Sequence, residues 1–102
     1  MEEVTLLEKS ENGLKIALSG DIDLGNAERF YEAVMDEYRA LSTDVLFDCG
    51  KLNFIDSTTL GTFVKILKTV KQDGHTVKLI NLQSKIKKLF LICSLDSIME
   101  IA

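Results

Sequence analysis

Four short polar residues in a row, Asp56-Ser57-Thr58-Thr59, carry three hydroxyls and a carboxylate on adjacent positions. The apolar pair Phe54-Ile55 precedes them, and Leu60, Phe63, Val64, Leu67 and Val70 follow at helical spacing. The run therefore falls at the N-terminus of an amphipathic helix, where a short polar side chain accepts a hydrogen bond from an otherwise unpaired backbone N–H. The same place suits a phosphoryl acceptor, because the partial positive charge of the helix end stabilises a phosphate added to a hydroxyl. Capping alone, or capping combined with phosphorylation, are the two readings these residue types allow.

Other chemistry finds little support. The one histidine, His75, follows Gly74 in a loop pattern and has no Ser, Cys or Asp partner at the spacing of a nucleophilic set. No Gly-x-Gly-x-x-Gly or Gly-Lys-Ser/Thr phosphate loop occurs. Asp21, Asp23, Asp48 and Asp56 fall near strand ends and offer hard oxygen ligands, but nothing in their spacing demands a cation. No metal, cofactor or enzymatic activity is expected. Cys49 and Cys93 lie in apolar segments without redox or metal-ligand spacing and read as buried, reduced thiols.

Charge narrows the partners. The chain carries −4 overall, but residues through Val64 hold 5 basic and 13 acidic side chains and the remainder 7 and 3. Such asymmetry steers a protein partner. The lysines are scattered and no aromatics interleave them, so direct nucleic-acid binding is not expected. No apolar run long enough to span a membrane occurs, and Met1-Glu2-Glu3 is unlike a signal peptide, which places the protein in the cytoplasm by expectation.

The elements that must position the polar run read in order. Val4–Lys9 and Leu14–Ser19 flank Ser10-Glu11-Asn12-Gly13, a hairpin pattern. Gly20–Ala27 ends the second strand, with Asn26 as a candidate N-cap. Ala27, Phe30, Tyr31, Val34, Met35, Tyr38 and Leu41 then mark a first helix. Val45-Leu46-Phe47 reads as a strand buried on both faces, broken by Gly50 and Asn53 into a loop whose Leu52, Phe54 and Ile55 form an apolar rim. Gly74 ends the helix after the polar run. Val77–Leu82 is a strand, and Ser84 caps a helix with Ile86, Leu89, Phe90 and Cys93 on one face. Ser94–Ser97 turns into a short edge strand over Ile98–Ile101. Residues 1–102 are thus expected to form one α/β domain, β-β-α-β-α-β-α-β, with helices covering a mostly parallel sheet.

Phe54-Ile55-Asp56-Ser57-Thr58-Thr59-Leu60-Gly61 resembles the phosphorylation segment of the STAS domain family, in particular of the bacterial anti-sigma factor antagonists (anti-anti-sigma factors). Gly20-Asp21-Ile22-Asp23-Leu24 is similar to the family's junction between the second strand and first helix, and the likeness extends over the whole chain. The resemblance implies a STAS fold: a mixed, mostly parallel sheet with an N-terminal β-hairpin and helices mainly on one face. It implies Ser57 as the phosphoacceptor, with Asp21, Asp23, Asn26, Asp56, Thr58, Thr59 and Gly61 forming the partner surface. For Asp23 a turn or capping role is the alternative. The implied partners are an anti-sigma factor that is also a serine kinase, bound by the unphosphorylated protein so that a sigma factor is released, and a serine phosphatase that resets the switch. An unphosphorylated STAS scaffold or transporter-associated subunit is the rival within the family. Thr59 stands where the family often has Gly or Ala, and it and Thr58 are secondary phosphoacceptor candidates.

Overall fold

Alternation of apolar and polar side chains builds the sheet. The computed structural model describes residues 1–102 and contains β1 (Val4–Ser10), β2 (Gly13–Ile22), α1 (Ala27–Ala40), β3 (Val45–Ile55), α2 (Ser57–Gln72), β4 (Val77–Ile80), α3 (Ser84–Ile92), a 3-10 turn at Leu95–Ser97 and β5 (Glu100–Ile101). The strands lie in the order β1-β2-β3-β4-β5; β1 pairs antiparallel to β2 and the other pairs are parallel. Leu14, Ile16 and Leu18 of β2, Val45, Phe47 and Cys49 of β3, and Val77 and Leu79 of β4 all point into one core. Helix residues Phe30, Val34, Met35, Tyr38, Phe63, Ile66, Leu67, Val70, Ile86 and Phe90 meet them there. Lys15, Ala17, Leu46, Asp48 and Lys78, the alternate positions, stay exposed or half-buried, so the helices cover one face.

Phe63 is the centre of the packing. Its ring lies 5.2 Å from Phe30, 5.5 Å from Phe47 and 5.3 Å from Phe90, centroid to centroid, joining all three helices to β3 through tilted or edge-on contacts. At the pole away from the polar run, Tyr38 donates to Asp73 at 2.7 Å. Burial, then that carboxylate, push the Tyr38 hydroxyl up to about 12.

Several expectations need correction. Gly50–Ile55 is strand, not loop: β3 runs on beside β2 through register shifts between Ala17 and Ser19 and between Gly20 and Asp21. Leu52 and Ile55 are therefore core residues, and only Phe54 of the expected rim is exposed. β2 likewise extends through Gly20, which has φ +69, and on to Ile22. The hairpin turns at Glu11-Asn12, with Gly13 already paired to Ser10. Leu41 follows α1 instead of ending it, β4 stops at Ile80, and Gln83, not Ser84, occupies the cap position of α3. Cys49 is buried but Cys93 is exposed, because α3 ends at Ile92 and turns its core face through Ile86 and Phe90 only. His75 is half-buried rather than solvated, its Nδ1 3.7 Å from Asp44 and its ring edge-on to Tyr38.

Candidate functional site

The C-terminal ends of two parallel neighbours, β2 and β3, each feed a helix, so the β2–α1 and β3–α2 connections emerge side by side. Asp21 and Ile22 pair with Phe54 and Ile55 at this edge. One residue later Asp56 adopts extended backbone, φ −120 and ψ −175, and caps α2 by accepting the Thr59 N–H at 3.0 Å on Oδ1. Its other oxygen, Oδ2, accepts the Leu24 N–H at 2.9 Å. One carboxylate thus fastens the loop of one helix to the cap of the next. The Thr59 N–H, with further donors from Leu24, the Thr59 hydroxyl and Thr58, outweighs the desolvation of the group and holds Asp56 below the usual carboxylate range.

The opposing loop is closed by its own side chains. Asp23 Oδ1 accepts the Gly25 N–H at 2.9 Å, and the Asp23 carbonyl accepts from the N–H groups of Asn26 and Ala27. Asn26 stands at the cap position of α1 but makes no side-chain cap; its Oδ1 accepts the Asp23 N–H at 2.8 Å and its Nδ2 donates to the Asp21 carbonyl at 2.9 Å. The turn role of Asp23 is therefore present, and Asn26 is a loop staple rather than a helix cap. Leu24, at the loop tip, is 77% exposed, and Phe54, paired with Asp21 at the end of β3, is 48% exposed.

Ser57 and Thr58 begin α2 with their side chains exposed. Thr59 does not belong with them. It is fully buried, its Oγ1 reaching the Ile22 carbonyl and lying 3.0 Å from Asp56 Oδ1, so it ties the end of β2 to the start of α2. That corrects both expectations for Thr59: no kinase or partner reaches a hydroxyl in this position without unfolding the turn. The helical stripe gives the reason, since Thr59, Thr62, Phe63, Ile66, Leu67 and Val70 form the buried face and Leu60 and Val64 only flank it. Gly61 is exposed on the first turn, and a Cβ built there would meet nothing within 4 Å.

The structure brings together Asp21, Asp23, Asn26, Asp56, Ser57, Thr58 and Gly61 on one pole of the domain. Asp48 is not among them; it accepts from the Gly50 N–H and Asn81 Nδ2 on the open face of the sheet. The aspartates form no group placed to hold a metal ion, their carboxylate oxygens being engaged with backbone N–H groups at Asp23, Asp48 and Asp56. What sequence reasoning missed is the exposed Leu24, whose place in a Asp-rich turn was its only signal.

Comparison with known proteins bears on the chain as a whole. The STAS domain family model matches residues 5–102. An anti-sigma-B factor antagonist of Bacillus subtilis strain 168 is 30% identical over 96 residues, covering 94% of this chain and 87% of that protein. The unphosphorylated anti-sigma factor antagonist SpoIIAA superposes with a TM-score of 0.76 at 16% identity, covering 97% of this chain and 86% of that one. The phosphorylated form of the Bacillus cell fate determinant SpoIIAA gives 0.75 at 19% identity, covering 97% and 90%.

Proposed function

This chain belongs to the STAS domain family, and from that membership we propose that residues 1–102, as a single domain, act as an anti-sigma factor antagonist switched by phosphate on Ser57. The unphosphorylated protein binds an anti-sigma factor that is also a serine kinase, through the Asp21–Asn26 loop and the Asp56–Gly61 segment, and so frees a sigma factor. The observation that carries this reading is the exposed Ser57 hydroxyl at the first position of α2, beside a carboxylate that is already occupied and a loop tip with exposed Leu24. Gly61 adds to it. A glycine inside a helix costs about 1 kcal/mol relative to alanine, and nothing within this chain fills the space it leaves. Close approach of a partner backbone supplies a reason.

Phosphoryl transfer requires little of this protein beyond position. The Ser57 Oγ attacks the γ-phosphorus of ATP held by the kinase; the new O–P bond forms as the bond to the ADP leaving group breaks, and the serine proton passes to a base on the kinase or to water. Asp56 does not serve as that base, since both its oxygens are engaged by α2 and the β2–α1 loop and its carboxyl is held at low pKa.

The product carries roughly −1.5 to −2 of added charge. The N-terminus of α2 stabilises that charge within the folded domain, so the fold tolerates the phosphate. A closed interface does not, because the phosphate then stands against Asp56 and the remaining nucleotide phosphates with water excluded. Each 1.4 kcal/mol of repulsion weakens binding about tenfold. A serine phosphatase restores the binding form. The protein itself performs no catalysis, and its place is the cytoplasm, where a sigma factor and its regulators act. No helix is long and apolar enough to cross a membrane.

Intact-mass analysis after incubation with candidate kinases of the same genome and Mg-ATP tests the reading. One added phosphate on wild type and none on Ser57→Ala is expected. Phosphate persisting on Ser57→Ala, or none on wild type with any kinase, overturns it.

A further inference from the structure

Glu28 and Glu32 stand one helical turn apart on the exposed side of α1, and neither takes part in an ion pair of the fold. Like charges at this spacing repel, so the arrangement is mildly unfavourable in the free protein. The two carboxylates rim a cleft of about 330 Å³ between the first turns of α1 and α2, whose walls include Leu24, Tyr31, Thr58 and Lys65. Lys65 Nζ already lies over the Tyr31 ring, 4.1 Å from its centroid. A cation on an aromatic face beside unpaired carboxylates is the environment that a guanidinium or ammonium group seeks. Thr58 makes the cleft continuous with Ser57, and Leu24 makes it continuous with the apolar loop tip.

We infer that this cleft receives one basic side chain of the partner kinase, displacing Lys65 from Tyr31. The inference rests on the function proposed above and adds to it the chemistry of the contact. The alkyl stem of the incoming residue lies along Leu24, its planar or cationic head stacks on Tyr31, and its charge faces Glu28 and Glu32. Arginine fits better than lysine, since a planar guanidinium can stack on the ring while donating to both carboxylates. Lys65 holds the place in the free protein, tethered to the opposite wall, and gives way because it makes no ion pair with Glu28 or Glu32 that its displacement would break.

The test is calorimetric titration of the full chain with the ATP-binding anti-sigma kinase from the same genome, loaded with Mg-ADP. Glu28→Gln with Glu32→Gln should weaken binding about tenfold at low salt, with the gap narrowing at high salt, as expected for charge pairing at a surface. Its melting temperature should equal or exceed wild type, which separates lost binding from lost folding. Lys65→Gln should bind more tightly than wild type. Asp36→Asn, on the same helix but outside the cleft, should change affinity less than about twofold. Binding by the double variant within twofold of wild type overturns the cleft inference, as does an equal loss on Asp36→Asn or weakened binding by Lys65→Gln. Failure of wild type to bind the kinase or to gain phosphate on Ser57 would instead overturn the function on which the inference rests.

Discussion

Replacing Thr59 by valine keeps the shape of the side chain and removes only the hydroxyl. That hydroxyl has one proton, shared between the Ile22 carbonyl and Asp56 Oδ1, and it sits in a fully buried position. The substitution leaves the Ile22 carbonyl facing an apolar methyl inside the turn that joins β2 to α2. A buried acceptor stripped of its donor costs about 1–3 kcal/mol. In a domain of this length each 1 kcal/mol lowers the melting temperature by about 4–8 °C, so Thr59→Val should melt roughly 5–20 °C below wild type. Thr58→Val is the matched control: its side chain is exposed, and surface changes of this kind stay within about 0.5 kcal/mol. Thermal denaturation followed by circular dichroism reads both. Equal melting of Thr59→Val and wild type would refute the reasoning, and so would a phosphate found on Thr59 in the folded protein.

Other consequences are open to measurement. Because the native Asp56 pKa is lowered, its contribution to stability is fully present above the unfolded carboxylate value of about 3.9 and is lost as pH falls through the lowered native value; the melting difference between wild type and Asp56→Asn should therefore shrink from pH 6 to pH 3, and a constant difference would contradict the cap. Burial first, and the neighbouring Asp48 charge second, push the Cys49 thiol up to about 12. A thiol reagent at pH 8 should titrate Cys93 alone in the native protein and both cysteines after denaturation. Phe63→Ala removes the ring on which Phe30, Phe47 and Phe90 converge and should cost about 3–5 kcal/mol by denaturant unfolding.

Much of the fold was legible because periodicity is strong where one face is buried. The stripe Ala27, Phe30, Val34, Met35 and Tyr38 lies in the core as its spacing predicts, and Gly74 adopts the left-handed conformation, φ +82, expected just after a helix. The largest error has a physical cause. Gly50 and Asn53 signal a break when read alone, yet pairing with β2 carries the chain through them as strand, at the expense of register shifts. Local composition does not register that pairing. The polar run shows the same limit at finer grain. Its helical location and the capping Asp56 could be read from residue types, but the inward turn of Thr59 follows from extending the Phe63 stripe back by four residues, a step that its hydroxyl disguises. Leu24 was hidden for the opposite reason, an apolar residue in a turn whose exposure only the closure of the loop by Asp23 and Asn26 reveals.

Affinity of the anti-sigma kinase for the two phosphorylation states tests the central claim most directly. The full chain would be prepared unphosphorylated and stoichiometrically phosphorylated on Ser57, and each titrated into the kinase loaded with Mg-ADP. The account predicts tight binding of the first form and a loss of at least about tenfold, roughly 1.4 kcal/mol, for the second, with both forms melting at similar temperatures. Equal affinity of the two forms would contradict it.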